Sequence, residues 1–299
     1  MPCWVRFQRT SETARVAFPL LTAFLLIVFS SCASPPDHRD SSSALPLRTA
    51  TVEELVSIMQ EQETAIQTLK GLFRAQVQGP GIPGSQQVEG AVFYQRPDHL
   101  RLQGFNRLGM KLFELALDED RYRLRTINGK FLTGQLADLQ RVETLARPFK
   151  LSVLAMSGIV GTPPPTLGER VALSDDGDRY RLDVFASDRS GPAEVPYRKI
   201  WFDRRLLQVA REDRLNGQGD VEATVEFDDF RAIETRSDSL PDTRLGSTVV
   251  KPFRVRAQDG EGRSRLQLVF HEINANVPVK PEELQVTQSV PREWTSSWI

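Results

Sequence analysis

Residues 100–115, LRLQGFNRLGMKLFEL, decide the fold. Leu100 and Leu102 alternate with polar residues, a short turn-forming segment follows, and a second apolar stretch continues to Leu117. Alternation with a period of two predicts a β-strand that buries one face. The segment from Phe105 to Gly109 predicts the turn that reverses the chain. The stretch therefore predicts two neighbouring strands of an antiparallel sheet.

The same pattern continues on both sides of this hairpin. Toward the N-terminus, residues 73–77 and 88–94 alternate around a glycine- and proline-rich turn. Toward the C-terminus, residues 122–126 precede Asn128-Gly129, a dipeptide typical of tight hairpins. A second set of alternating segments lies between residues 179 and 273. We expect roughly ten strands in a sheet that has one apolar face and one solvent-exposed face.

Two segments have the period of a helix. Thr51 and Glu54 have capping-box spacing, and apolar residues then recur every three to four positions up to Phe73, where strand alternation is expected to begin. Residues 136–157 form the second helical pattern, which Gly158 is expected to end. Two helices beside many strands predict the α+β class with a single large, curved antiparallel sheet.

A leader precedes this domain. Residues 16–29 are nearly all apolar, and Arg6, Arg9 and Arg15 lie ahead of them. The run is shorter than the ~20 residues of a bilayer-spanning helix. A basic N-terminal region, a short apolar segment and small residues before the cleavage site predict a secretory signal peptide over residues 1–31.

Cys32 follows two serines directly. This arrangement resembles the lipobox of bacterial lipoproteins, which implies cleavage before Cys32, acylation of its thiol and amine, and attachment to a membrane through that anchor. Ala33 by the same resemblance permits export to the outer membrane. A secreted protein with an unmodified cysteine is the alternative. Residues 33–50 are rich in Pro and Ser, so the lipidated cysteine and a flexible tether are predicted to occupy residues 32–50.

Composition excludes some classes of function. The formal charge of the 299 residues is −1, and no basic cluster points to nucleic acid as a partner. Of the two cysteines, Cys3 would leave with the leader and Cys32 would be acylated, so we expect no disulfide bond in the mature chain. Stability must then come from an apolar core.

The motifs of common catalytic and metal sites are not found in the sequence. The three histidines lack zinc-site spacing, and there is no Gly-x-Ser-x-Gly elbow or phosphate-binding glycine loop. The acidic run at residues 175–178 has no glutamate at the distance that a calcium loop requires, so a hairpin turn is the simpler interpretation. We expect a protein that is not an enzyme and that has no cofactor or metal.

The order of lipobox, tether, helix, strands, second helix and further strands resembles the LolA/LolB superfamily of bacterial lipoprotein carriers and receptors. The local likeness to LolB is strongest over residues 100–135, where the turn 106–109 resembles its Asn-Pro-Leu-Gly turn with Arg107 in place of Pro. The resemblance implies an open half-barrel, closed by helices, over residues 51–290. It also implies a position at the periplasmic face of the outer membrane and a periplasmic carrier protein as a partner.

The resemblance further implies that Leu108, at the hairpin tip, contacts the membrane when cargo is delivered. A leucine between Arg107 and Gly109 has few neighbours to cover it, which agrees with this role. The alternative is that Leu108 folds back onto the sheet edge beneath Phe105.

A concave sheet that helices cover incompletely would leave an apolar cavity for the acyl chains of lipids or lipoproteins. Burying a 16-carbon chain at about 0.8 kcal/mol per CH₂ yields roughly 10 kcal/mol before ordering costs, so no polar motif is needed.

A core filled by the same side chains is the alternative. The protein would then be a structural or assembly lipoprotein that uses the fold to bind a partner. The candidate lining residues are Leu100, Leu102, Phe113, Leu115, Tyr122, Leu124, Tyr180, Leu182, Val184, Val225, Phe227, Leu266, Leu268 and Phe270.

Overall fold

The structure is a computed structural model that describes residues 45–126, 128–135, 146–187, 195–235 and 248–286. The predicted signal peptide, Cys32, most of the tether and the first part of the second predicted helix lie outside these residues. The chain from Pro46 onward forms one structural unit. None of the helices in the described ranges is both long enough and apolar enough to cross a membrane.

Thirteen strands form one open sheet in which every pair of neighbours is antiparallel. Their spatial order is β6-β5-β4-β3-β2-β1-β13-β12-β11-β10-β9-β8-β7. The predicted α+β class with a single antiparallel sheet is therefore confirmed. The strands are β1 Thr68–Gln78, β2 Gln86–Gln95, β3 His99–Phe105, β4 Lys111–Asp118, β5 Arg121–Thr126, β6 Phe131–Gln135, β7 Arg170–Asp175, β8 Arg179–Phe185, β9 Arg198–Asp203, β10 Gln208–Leu215, β11 Val221–Glu234, β12 Thr248–Asp259 and β13 Arg265–Ala275.

The sheet consists of two meanders that meet at its centre. β1, the first strand, pairs with β13, the last, and the sequence-local hairpins extend outward from this pair to the edges at β6 and β7. Each strand has one face in the core, as in β8, where Tyr180, Leu182 and Val184 are buried and the residues between them are not. We call the face of Leu182 and Leu102 the concave face.

The first helix, α1 (Val52–Thr64), begins as predicted. Thr51 N donates to Glu54 Oε2 at 2.8 Å and Glu54 N donates to Thr51 Oγ1 at 3.3 Å, which completes the capping box. The predicted transition at Phe73 is wrong, because β1 already starts at Thr68. Leu69 and Phe73 are four positions apart, a spacing that both periods satisfy, and burial shows that alternation begins at Leu69.

The second helix, α2 (Ala146–Val160), lies in sequence between the two edge strands and packs across the concave face on β11, β12 and β13. The expectation that Gly158 ends this helix is wrong, since the helix continues to Val160. Gly158 instead allows close packing: a Cβ atom there would lie 1.9 Å from Phe227 Cε1. Gly161, with φ of +131°, follows the last helical residue.

A short third helix, α3 (Pro281–Leu284), packs on the outer face of the sheet against β2 and β3. Lys70 Nζ lies 2.7 Å from a carboxylate oxygen of Glu283. Arg101 donates to the backbone carbonyls of Glu282 and Glu283 at 3.1 and 3.0 Å. The C-terminal segment therefore covers the outer face behind the β2–β3 hairpin.

Candidate functional site

An apolar cavity of about 380 Å³ opens on the concave face between the sheet and α2. β1–β4 and β13 form its walls, and the β1–β2 loop borders one end. Gln86 and Ser152 are the polar side chains among the residues that line it. The lining residues are Phe73, Ala75, Val77, Pro80, Gly81, Ile82, Gln86, Val88, Leu102, Phe113, Ser152, Met156, Leu266 and Leu268.

Two glycines in register create the depth of this cavity. Gly90 in β2 pairs with Gly104 in β3, and their other neighbours in the sheet are Phe73 and Phe113. A Cβ atom would lie 2.3 Å from the Phe73 ring at Gly90 and 2.2 Å from the Phe113 ring at Gly104. Both rings therefore lie down over the glycine backbone, and the space above the sheet stays open.

Four of the fourteen residues that the sequence analysis predicted line the cavity: Leu102, Phe113, Leu266 and Leu268. The other ten are buried in the surrounding apolar core and do not line this cavity. They are Leu100, Leu115, Tyr122, Leu124, Tyr180, Leu182, Val184, Val225, Phe227 and Phe270.

Several lining residues were not among the predicted candidates. Phe73, Ala75, Val77 and Val88 belong to strand patterns that the sequence already indicated, but pattern alone does not say which part of an apolar face remains open. Met156 lines the cavity because α2 packs across the concave face, which the sequence pattern does not specify.

The predicted membrane-contact residue lies at an exposed hairpin tip. Asn106 Oδ1 accepts hydrogen bonds from the backbone N–H of Leu108 at 3.0 Å and of Met110 at 2.9 Å, and Gly109 has φ of +78°. The turn holds the Leu108 side chain 84% exposed, so it does not fold back beneath Phe105.

Two further pockets each share a lining residue with the cavity. One, of about 160 Å³, is lined by Lys111, Leu112, Phe113, Arg125 and Thr126, and it shares Phe113 with the cavity. The other, of about 500 Å³, includes Arg107 and Leu108 and shares Gln86 with the cavity. Arg125 itself projects from the outer face of the sheet, because it is the register partner of Glu114 and alternates with the buried Leu124.

A buried ionic cluster lies behind the first of these pockets. The Glu114 carboxylate is fully buried, is contacted by the Arg101 guanidinium, and accepts from Lys111 Nζ at 2.9 Å and from Gln103 at 3.2 Å. Arg125 of β5 is the register partner of Glu114. Two cationic side chains, Arg101 and Lys111, therefore contact this buried carboxylate.

Lys251 is the most unusual ionisable residue of the concave side. It is 1% exposed, and within the described ranges its one hydrogen bond is a long contact of 3.4 Å to the backbone carbonyl of Gln62 near the end of α1. Burial lowers the pKa of Lys251 to about 8. Removal of the ammonium from water without a carboxylate partner destabilises its charged form.

No cluster of three or more His, Cys, Asp or Glu side chains suited to a metal ion occurs among the residues that the structure describes. The chemistry available at the cavity is therefore apolar contact, with hydrogen bonding from Gln86 and Ser152 and charge at the two further pockets.

Comparison with solved structures identifies the architecture. The LolA superfamily protein NE2245 from Nitrosomonas europaea matches with a TM-score of 0.51 and 10% identity, over 80% of this chain and 99% of that one. The fold is LolA-like. A DUF1329 family protein from Desulfovibrio piger shares this LolA-like fold, with a TM-score of 0.50 and 9% identity over 79% of this chain and 100% of its own. No family model and no curated protein matches the chain.

Proposed function

We propose that this protein is a lipid-anchored, non-catalytic protein of the bacterial envelope that holds an acyl chain of a lipid or lipoprotein and passes it to the outer membrane. The observation that carries the proposal is the apolar cavity on the concave face. Its volume of about 380 Å³ lies at the lower end of the ~300–1,000 Å³ typical of small-molecule sites.

The lining suits a hydrocarbon chain. Each methylene group transferred from water into such a site is worth about 0.8 kcal/mol, and the walls provide aliphatic and aromatic contacts throughout. Gln86 and Ser152 lie among these walls as hydrogen-bonding groups for the polar end of a ligand.

The position of the cavity suits delivery to a bilayer. The pocket that contains Leu108 shares Gln86 with the cavity, so the exposed leucine lies at the same end of the sheet as the cavity. Insertion of this side chain into a membrane is worth about 1–3 kcal/mol. Acyl chains at Cys32 would keep the domain at the periplasmic face of the outer membrane, where a soluble periplasmic carrier could load it.

A second candidate is a structural or assembly lipoprotein that binds a partner through the same fold. The observation in its favour is that ten of the fourteen predicted cavity residues are packed in the core, so most of the half-barrel interior is filled. In this case the cavity beneath α2 would carry no ligand.

Mass spectrometry of the full-length protein, purified in mild detergent, separates the two candidates. Acyl chains on Cys32 are covalent and persist under denaturing conditions, whereas a cavity lipid is seen only under native conditions. We expect one non-covalent lipid per chain, and addition of free lipid should saturate at that ratio. If neither the purified nor the lipid-supplemented protein carries a non-covalent lipid, the carrier function is wrong and the second candidate is favoured.

A further inference from the structure

We propose that the outer face of the sheet binds a glycan that carries N-acetyl groups. A pocket of about 340 Å³ lies on this face, over β1, β13, β12 and β11. Its volume falls within the ~300–1,000 Å³ of small-molecule sites. Eight polar side chains line the pocket together with Ala257 and Leu266, and we call these eight side chains the polar grid. They are Gln76, Gln78, Thr224, Glu226, Arg256, Gln258, Arg265 and Gln267.

The strand register arranges the polar grid in two rows of four. Cross-strand partners form the first row, in the order Gln76, Gln267, Arg256 and Glu226, and the second row, in the order Gln78, Arg265, Gln258 and Thr224. Each member alternates with residues of the concave face, as Gln267 does with Leu266 and Leu268, so the grid lies on the opposite face from the apolar cavity. Neighbouring strands are ~4.8 Å apart, so a polar group recurs at this interval along each row.

The protein leaves much of the hydrogen-bonding capacity of the polar grid unused. Within the described ranges, the side-chain amides of Gln78, Gln258 and Gln267 have no hydrogen-bond partner. Side chains elsewhere on the outer face are paired with one another, as Arg211 Nη2 is with Asp213 Oδ2 at 2.9 Å. The amides of the grid are therefore available to a ligand.

The charges of the polar grid are close to balanced. The two terminal nitrogens of Arg256 lie 3.5 Å from a carboxylate oxygen of Glu226 and 3.0 Å from one of Asp228. In the part of the chain that the structure describes, Arg265 is the one cation of the grid that has no carboxylate partner. The grid therefore suits a ligand that is neutral or carries a single negative charge, and not a polyanion, which requires several unpaired cations.

A glycan fits this chemistry. Side-chain amides both donate and accept hydrogen bonds, and so do the hydroxyl and N-acetyl groups of sugars. The ~4.8 Å interval between strands is close to the rise per sugar of an extended 1,4-linked chain, so a glycan laid along a row places about one sugar over each strand. Because the grid and the cavity lie on opposite faces of the sheet, this site is independent of the proposed carrier function.

Isothermal titration calorimetry of the full-length protein with hexa-N-acetylchitohexaose tests the proposal. The protein is kept in a polyoxyethylene detergent, because the sugar headgroup of a maltoside would compete for the site. We expect saturable binding about fivefold tighter than that of cellohexaose, which has the same linkage but lacks the N-acetyl groups and so forms fewer hydrogen bonds. Co-sedimentation with purified peptidoglycan would then identify the glycan of the cell wall as the source, and its absence would assign a soluble or lipid-linked glycan.

Gln267→Ala should weaken binding of the chitohexaose by about tenfold, because the amide supplies one or two hydrogen bonds. Gln135→Ala is the matched control, since Gln135 is an exposed glutamine on the outer face of the edge strand β6 and lies outside the grid. Gln258→Ala removes an exposed amide of the second row and should repeat the effect if Gln267→Ala folds poorly.

Absence of saturable binding, equal affinity for chitohexaose and cellohexaose, or equal effects of Gln267→Ala and Gln135→Ala would overturn the glycan site. Native mass spectrometry should find the same cavity lipid in the parent protein and in every variant. Failure of the glycan site therefore stays distinct from failure of the carrier function.

Discussion

The ring of Phe113 lies directly over Gly104, its partner in the neighbouring strand, so that a Cβ atom at position 104 would be 2.2 Å from Phe113 Cε1. Phe73 and Gly90 repeat this arrangement across the adjacent strand pair. The two aromatic rings and the two glycines together form the floor of the cavity. A substitution at either glycine therefore tests whether the rings must lie flat to keep the cavity open.

Gly104→Ala should destabilise the protein by about 1–3 kcal/mol, because the new methyl group pushes the Phe113 ring upward and overpacks the site. The raised ring should also reduce lipid binding. Gly79→Ala is the control, since a Cβ atom there would meet Ser264 Oγ at an ordinary 3.4 Å. Urea unfolding measures both variants, and equal free energies of unfolding would contradict the role of Gly104.

Substitutions at two leucines distinguish the open cavity from the filled core. Leu268 lines the cavity, whereas Leu182 is fully buried in the core and does not. Leu268→Trp should fill the cavity and abolish lipid binding with little change in melting temperature. Leu182→Trp should cost about 1–3 kcal/mol because no space exists for the larger ring. Melting curves and bound-lipid measurements on both variants are needed, and similar destabilisation of the two would contradict the cavity.

Leu108→Glu should lower lipid transfer into vesicles and leave stability and lipid binding unchanged, since the side chain is exposed and makes no core contact. Leu167→Glu, at another fully exposed leucine, should have no effect on transfer. A fluorescent-lipid transfer assay compares the two. If both variants transfer lipid as the parent protein does, Leu108 has no role in delivery.

Lys251→Met should raise the free energy of unfolding at pH 7, by up to about 3 kcal/mol, because it removes a buried charge whose pKa falls from an ordinary 10.5 to about 8. Between these pH values the unfolded chain binds more protons than the folded one, so the stability of the parent protein rises with pH. The advantage of the variant should therefore shrink from pH 8 to 10.5.

Urea unfolding at several pH values measures this difference. Burial raises the pKa values of Tyr94 and Tyr197 in parent and variant alike, so their titration cancels in the comparison. A difference in stability that does not change between pH 8 and 10.5 would show that folding does not lower the pKa of Lys251.

Cys32→Ser should prevent fatty-acid labelling and release the protein from the membrane fraction, since stable attachment needs the acyl chains. Cys3→Ser is the matched control, because Cys3 would be removed with the leader. Metabolic labelling with a fatty acid followed by fractionation checks both variants. Label that persists on Cys32→Ser would disprove the anchor.

The sequence by itself determined the local structure of this protein. Alternation, hairpin dipeptides and the Thr51–Glu54 capping box act between residues close in the chain, so the antiparallel hairpins and the start of α1 could be predicted. The resemblance carried by residues 100–115 agrees with the fold.

Tertiary structure decided where the interior is open and where it is full. The start of β1 depended on pairing with β13, and the short edge strand β7 was not predicted because its residues are only partly buried. The cavity depends on two glycines coming into register and on α2, which supplies Ser152 and Met156 to its lining. The burial of Lys251 likewise depends on the docking of α1. These features arise from contacts between segments distant in sequence, which local periodicity does not encode.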